Sequence, residues 1–209
     1  MELTKNLFAQ IEGHINAYRV LRLIGEITPN SISSLAEEMV QLDFLEVQPI
    51  TVWITSPGGD IAPAYYLKDV IDGLNSPVHG LVIGKASSAA VDVLQMCTKR
   101  MMLPHSELFC HYIRCGGYEI IGHNDAFSDL DAQAIVKHAQ GHKHFREKLF
   151  SERTGKTIEE IRRIFYEGEM YRMVISSQEA KDINLIDEIV TDFKFFPEFK
   201  GKYAHESKS

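Results

Sequence analysis

Short apolar runs alternate with amphipathic stretches along most of the chain, and turns of small residues separate them. The runs at 50–54 and 78–83 are almost wholly apolar, which is typical of strands buried on both faces of a sheet. Each run is followed by small residues and then by apolar residues at helical spacing, at 62–74 and 88–97. The pattern recurs after roughly thirty residues, the length of one β-α-β unit. The alternation therefore predicts an α/β fold with a largely parallel sheet.

The remaining predicted elements extend this pattern toward both ends of the chain. We expect strands at 18–24, 101–103, 108–113 and 185–190, and helices at 31–42, 129–154, 157–165 and 176–184. Thr157 and Glu160 have the spacing of a capping box. The long helical pattern has few apolar positions for its length, so we expect it to project from the body. The chain is interpreted as one domain of 209 residues, with an N-terminal arm at 1–17 and a C-terminal tail at 191–209.

Composition and charge narrow the function classes. A hydrophobic fraction of 44% and a charged fraction of 24% are typical of a soluble globular domain. The net charge of -7 argues against a nucleic-acid-binding protein, because such proteins usually carry a basic face. The three cysteines have no zinc-binding spacing, and their odd number favours a reducing compartment. The sequence shows neither a signal-peptide pattern nor a run of about 18 apolar residues, so we expect a cytoplasmic protein without a membrane segment. We also expect no metal and no cofactor.

Three features carry candidate chemistry. Ser88 lies among small residues where an apolar run ends and a helical pattern begins. His111 ends another apolar run, at the end of a strand, where parallel α/β sheets tend to place functional residues. The turn at 56–59, SPGG, follows a strand, so its free backbone N–H groups could hold an anion. Each feature alone is more often a helix cap, a packed histidine or an ordinary turn, but together they supply a nucleophile, a base and oxyanion donors.

The motifs together resemble the proteolytic subunits of the Clp protease family over most of the chain. The matching segments are LIGEI (23–27), ITVWITSPGGDI (50–61), GKASSAA (84–90), LPHSELFCH (103–111), CGGY (115–118) and SSQEAKDINLIDEIV (176–190). The spacing between the glycine motif and the serine motif matches the family pattern without an insertion or a deletion. The combined set is specific, whereas SPGG or the serine motif alone would not be.

The resemblance implies a fold, a site and an assembly. The fold would be the α/β spiral of repeated β-β-α units shared by Clp proteolytic subunits and crotonases, with a projecting helical handle at 117–155. Ser88 would be the nucleophile, His111 the general base, and the amides of Gly59 and Ala89 the oxyanion hole. The peptide-binding edge would be formed by Gly58, Asp60, Ile61, Gly116 and Gly117. The chain would form a homo-oligomeric ring and cleave unfolded polypeptides inside it. An AAA+ unfoldase would deliver these polypeptides to the ring.

The chain departs from the family where the third catalytic residue, an Asp, is expected. The stretch RRIFYEGEMYRMVISSQEA at 162–180 contains no Asp, and Glu167 and Glu169 are the nearest carboxylates. One hypothesis is that Glu169 orients His111; the alternative is that both glutamates lie in solvent. Tyr112-Ile113 also replaces the Gln-Pro that follows the histidine in the family, and the charged pair that couples the two rings has no clear counterpart.

Two other functions are compatible with the sequence. The chain could be a catalytically impaired structural subunit of a Clp-type ring, because its third catalytic residue is not recognisable. It could also be a crotonase-like acyl-CoA enzyme, because that superfamily shares the fold and uses an oxyanion hole without a Ser–His pair. Labelling of Ser88 by a fluorophosphonate probe separates the impaired subunit from an active peptidase.

Replacing Glu169 by Gln tests the assignment of the third residue. If Glu169 orients His111, the variant should lose on the order of 10²–10⁴ in kcat, because the imidazole loses the carboxylate that fixes its tautomer. Peptide-hydrolysis kinetics measure the loss, and Glu167→Gln is the control for removing a nearby charge. Undiminished turnover of the Glu169→Gln variant would exclude Glu169 from the mechanism.

Overall fold

The computed structural model describes residues 18–110, 129–164 and 174–194, and in the long helix it describes the side chains of 137 and of 140 onward. Its strands are β1 (Val20–Ile27), β2 (Ile50–Gly59), β3 (Val78–Ser87), β4 (Lys99–Met102), β5 (Glu107–Phe109), β6 (Val174–Ser176) and β7 (Glu188–Ile189). Its helices are α1 (Pro29–Leu45), α2 (Ile61–Gly73), α3 (Ala89–Met96), α4 (Asp129–Thr154), α5 (Ile158–Arg162) and α6 (Ser177–Asp182). None of the helices within these ranges combines the length and the apolar character needed to cross a membrane.

The strands of the described residues form one sheet arranged around β3. Strands β1, β2, β3, β4 and β7 lie side by side in that order, and every neighbouring pair is parallel. On one edge β3 has two successive partners, because residues 79–82 pair with β4 and residues 85–87 pair with β5. Strand β6, which the sequence pattern does not predict, pairs antiparallel with β5. The predicted α/β class with a largely parallel sheet is confirmed.

Apolar stripes on the helices pack against the sheet and form the core. Helix α1 buries Ile32, Leu35, Ala36, Met39 and Leu42. Helix α2 buries Ala64, Leu67 and Ile71. Helix α3 differs from both, because all eight of its residues are buried, as expected of a helix in the interior. A helix enclosed on every side is held on every side, so the position of its first residue is well defined.

Side chains that cap the helices fix where three of them begin. Thr28 caps α1 and forms a capping box with Ser31, so this helix begins earlier than the predicted start at residue 31. The predicted capping box of Thr157 and Glu160 is present at α5. Ser176 caps α6 in the same way. A cap of this kind contributes about 1 kcal/mol to stability.

Strands β2 and β3 run further than the sequence pattern predicts. The small residues at 56–59 and at 84–87 are predicted as turns, but both segments lie in strands that pair with their neighbours. The pairing of β2 with each neighbour has a register shift. After the shift, Gly58 pairs with Glu26 of β1 and Ser56 pairs with Ala86 of β3. The prediction of turns is wrong because glycine also occurs in bulged strands, where the φ of 91° at Gly58 is allowed.

Helix α4 has the bounds that the sequence predicts, 129–154. Toward its C-terminus it buries Leu149 and Phe150 in the core, so this end is attached to the body. The arm predicted at 1–17, residues 117–128 of the predicted handle and the tail after residue 194 lie outside the described residues. The projection of the handle therefore stays a prediction.

A network of hydrogen bonds attaches the C-terminal segment to the sheet. The Arg100 guanidinium donates to the two carboxylate oxygens of Asp187, at 3.1 and 2.6 Å, and to the side-chain oxygen of Gln95, at 2.8 Å. Gln95 Nε2 in turn donates to the carbonyl oxygen of Leu185 at 2.9 Å. Burial alone would raise the pKa of Asp187, but hydrogen bonds and attraction from Arg100 outweigh it, and the pKa lies below its usual value.

Replacing Asp187 by Asn should lower the free energy of unfolding by about 2 kcal/mol at neutral pH, because the buried Arg100 loses its charged partner. A carboxylate whose pKa is lowered by folding stabilises the protein above its unfolded pKa, and this contribution is lost as the pH falls through the folded pKa. The difference between wild type and variant should therefore close below about pH 4.

Chemical denaturation at several pH values measures this difference. The matched control is Asp72→Asn, which removes an exposed pair with Lys68 and should change stability by less than about 1 kcal/mol. A difference that is independent of pH would contradict the assigned role of the Asp187 charge.

Candidate active site

Ser88 occupies a strained turn between strand β3 and helix α3. Its backbone has a φ of 53° and a ψ of -127°, a combination that residues with a side chain rarely adopt. The strand ends at Ser87 and the helix begins at Ala89, so the chain changes direction at a single residue. Ser88 is half-buried whereas both neighbours are buried. A sharp turn from strand to helix is the arrangement by which serine hydrolases present a nucleophile.

The hydroxyl of Ser88 does not cap its own helix. Ser88 stands at the N-cap position of α3, yet its side chain makes no capping hydrogen bond. At the same position of three other helices, Thr28, Thr157 and Ser176 each accept such a bond. An N-cap serine usually stabilises its helix through that bond. The hydroxyl of Ser88 is therefore available for another partner.

Gly58 lies against the serine turn so closely that no side chain fits between them. A Cβ atom on Gly58 would lie 2.7 Å from Ser88 Cβ and 3.1 Å from the Ala89 nitrogen. A Cβ atom on Gly59 would lie 2.2 Å from the Ile27 carbonyl oxygen, so Gly59 is pressed against β1. The structure thus brings the glycine motif together with Ser88 and the amide of Ala89.

The backbone N–H groups of the glycine motif are partly engaged. Gly58 N–H donates to the Ser56 hydroxyl at 3.0 Å, and Asp60 N–H donates to the Ile27 carbonyl at 2.9 Å. The predicted turn with free N–H groups is therefore wrong at Gly58. Asp60 is exposed at the N-cap of α2 and Ile61 begins that helix, so both follow the motif directly.

Strand β5 brings another part of the chain next to Ser88. Ser88 N–H donates to the carbonyl oxygen of Phe109 at 2.8 Å. Cys110 follows Phe109 and is buried. The remaining predicted site residues lie outside the described residues: His111, Gly116, Gly117 and Glu169. Their roles stay predictions.

A buried ion pair lies one helical turn beyond Ser88, and the sequence analysis does not predict it. Arg146 Nε donates to Asp92 Oδ1 at 2.7 Å. The two side chains are 5% and 2% exposed. The available signal in the sequence is an acidic residue inside a helix of mostly apolar side chains, AAVDVLQM. Such a residue requires a partner in the interior, but the helix alone does not indicate which one.

The two described cysteines are unsuited to act as nucleophiles. Burial raises the pKa of the thiols of Cys97 and Cys110 to about 12. Both thiols therefore stay protonated at neutral pH, and the thiolate is the reactive form of cysteine. Among the described residues near the glycine motif, Ser88 is the one whose placement suits a nucleophile.

The described strands and helices define an α/β protein with a largely parallel sheet. The chain belongs to the Clp protease family, because the family model described as Clp protease matches residues 4–193. This confirms the family that the motifs indicate and the α/β fold that goes with it.

Several relatives carry the same description. The ATP-dependent Clp protease proteolytic subunit 2 of Prochlorococcus marinus (strain NATL2A) is 29% identical over 188 residues, which covers 88% of each chain. The ATP-dependent Clp protease proteolytic subunit of Streptococcus sanguinis (strain SK36) is 26% identical, over 82% of this chain and 84% of the relative. Subunit 3 of Parasynechococcus marenigrum (strain WH8102) is 28% identical, over 88% and 90%. These similarities support a protease.

Replacing Gly58 by Ala should slow fluorophosphonate labelling of Ser88 by about a hundredfold, because the added methyl group displaces the serine turn. The methyl group would have to occupy a point 2.7 Å from Ser88 Cβ. Mass spectrometry follows the labelling, and thermal unfolding reports the accompanying loss of stability. Gly155→Ala is the control, because its φ of 71° is also positive but no atom lies within 4 Å of the added Cβ. Equal labelling of both variants would contradict the close packing described above.

Proposed function

We propose that this chain is a serine endopeptidase in which Ser88 is the nucleophile and His111 is the general base. The observation that carries the proposal is Ser88 itself, a strained, half-buried serine whose hydroxyl does not cap its helix. Strain of this kind costs about 1–3 kcal/mol and clusters at functional sites. Membership of the Clp protease family supports peptide-bond hydrolysis as the reaction.

The reaction proceeds through an acyl-enzyme. Ser88 Oγ attacks the peptide carbonyl while His111 takes the hydroxyl proton, and the carbonyl oxygen becomes an oxyanion. The amides of Gly59 and Ala89 hold the oxyanion, and the N-terminal end of α3 adds partial positive charge. His111 returns the proton to the leaving amine, and water then releases the acyl group by the same route. Glu169 holds the imidazole in the required tautomer.

The path of the chain supports a meeting of His111 with Ser88. Ser88 N–H is bonded to the Phe109 carbonyl oxygen at 2.8 Å, and His111 follows two residues later in the sequence. Two residues of extended chain span at most about 7 Å. A histidine this close along the chain is within reach of the serine hydroxyl.

The substrate lies extended beside the glycine motif. Gly58 and Gly59 pair with β1 on one side, and Gly58 packs against the serine turn on the other. An extended peptide adds as a further strand where the motif reaches the surface, at the exposed Gly59 and Asp60. Its proposed edges are formed by Gly58, Gly59, Asp60, Ile61, Gly116 and Gly117. The absence of side chains at the glycines lets the peptide backbone approach Ser88.

The proposed assembly is a homo-oligomeric ring in the cytoplasm, served by an AAA+ unfoldase. The relatives described above are named as ATP-dependent proteolytic subunits. A ring encloses its peptidase sites, so that unfolded polypeptide rather than folded protein reaches them. The predicted handle at 117–155 is the segment that we expect to contact a second ring.

A fluorophosphonate probe should label the assembled wild-type protein and the Ser87→Ala variant, but not Ser88→Ala. Ser87 is the matched control because it is the adjacent serine and its side chain is buried at 5% exposure. Peptide mapping locates the adduct. Hydrolysis of fluorogenic peptides should fall by at least about 10³-fold in Ser88→Ala, because the nucleophile is lost.

Two results would overturn this proposal. An assembled wild-type protein that the probe does not label would favour the impaired structural subunit. Conversion of an acyl-CoA thioester that survives in Ser88→Ala would favour the crotonase-like enzyme, since that reaction does not need the serine.

A further inference from the structure

The Asp92–Arg146 ion pair joins the helix that begins after Ser88 to the long helix α4. Arg146 Nε lies 2.7 Å from Asp92 Oδ1, and the side chains are 5% and 2% exposed. The guanidinium carbon of Arg146 also lies 5.2 Å from the centroid of the Phe150 ring, on the same helix. Phe150 is itself 1% exposed. The pair is therefore a fully internal contact between α3 and α4.

A buried ion pair is not necessarily more stabilising than apolar side chains of similar size in the same place, because both charges are removed from water. Separating the two charges is strongly destabilising, because each charge then stays buried without the other. A shift of α3 relative to α4 that parts Asp92 from Arg146 carries this penalty, so the pair opposes such a shift.

The pair lies where three segments of the proposed site meet. Asp92 is four residues after Ser88 on α3, and α4 carries Arg146. The charges of both residues also act on the thiol of Cys110: burial is the main cause of its raised pKa, Arg146 lowers it and Asp92 raises it. Cys110 immediately precedes His111 in the sequence. The pair thus joins α3 to α4, and its charges act on the residue that precedes the proposed base.

Ser88 depends on this support because its backbone is strained. A residue in such a conformation keeps it only when the surrounding structure holds it there. The Phe109 carbonyl and Gly58 constrain the turn from the side of the sheet. The Asp92–Arg146 pair constrains it from the side of the helix.

We propose that Asp92 and Arg146 are positioning residues, which hold Ser88 in its reactive conformation only while α4 is docked on α3. This inference rests on the proposed peptidase function and names two residues that act on its site from the far side of α3. Neither residue touches the substrate, and both act through the backbone of α3.

The experiment compares three variants of the full-length, assembled protein. Asp92→Asn removes the carboxylate charge that faces Arg146. The double variant Asp92→Leu/Arg146→Met replaces the pair by apolar side chains. Leu149→Ala is the matched control, because Leu149 is a buried residue of the same helix that contributes to the core without a charge. Thermal unfolding ranks their stability, so that activities are compared well below every midpoint.

We expect Asp92→Asn to lower kcat and the labelling rate of Ser88 by about ten- to a hundredfold with KM nearly unchanged, because small displacements of a reacting group have effects of this size. The double variant should recover thermal stability without recovering the labelling rate. Leu149→Ala should lose stability but keep its labelling rate. Amide hydrogen exchange in α3 should be faster in Asp92→Asn and in the double variant than in Leu149→Ala.

Different outcomes separate this inference from the proposed function. If the wild type is labelled and the double variant is labelled at the same rate, the pair is merely structural and the inference is wrong. If the wild type is not labelled, the peptidase proposal fails, and hydrogen exchange still decides the inference. Exchange in α3 that is no faster in the charge variants than in Leu149→Ala would overturn it. If Asp92→Asn does not fold, the uncharged double variant still provides the comparison.

Discussion

The pairing of strand β3 is the constraint on which the site depends. Its first part pairs with β4 and its last part with β5, so the turn that follows is enclosed between β2 and β5. Gly58 closes the turn on one side, and the hydrogen bond from Ser88 to the Phe109 carbonyl closes it on the other. Once the strands have this order, motifs that are distant in the sequence meet at the carboxyl ends of parallel strands, where α/β proteins place their sites.

Much of the fold is predictable from the sequence because its signals are local. The apolar runs, the helical spacing and the capping box of Thr157 each depend on a few neighbouring residues, and the bounds of α4 follow from the same kind of pattern. Strand β6 is three residues long and forms only because β5 is beside it. The continuation of β2 through Gly58 likewise depends on a register shift against β1, which no single segment encodes.

The candidate site also combines features that the sequence predicts with features that it does not. The closeness of the glycine motif to Ser88 is predictable, because strand ends of a parallel sheet converge and both motifs resemble those of one family. The ion pair of Asp92 and Arg146 joins residues 54 positions apart, and neither helix indicates the other's partner. Its carboxylate is recognisable only as an unexplained charge in an apolar helix. The roles of His111 and Glu169 rest on the motif alone, since both lie outside the described residues.

The strained, uncapped start of α3 has a consequence for the evolution of this chain. A glycine at position 88 would adopt the same backbone freely and would relieve about 1–3 kcal/mol of strain. Sequence changes that favour thermal tolerance therefore run against turnover at this one position. A lineage that no longer needed the reaction would gain a more stable protein by replacing Ser88 with glycine.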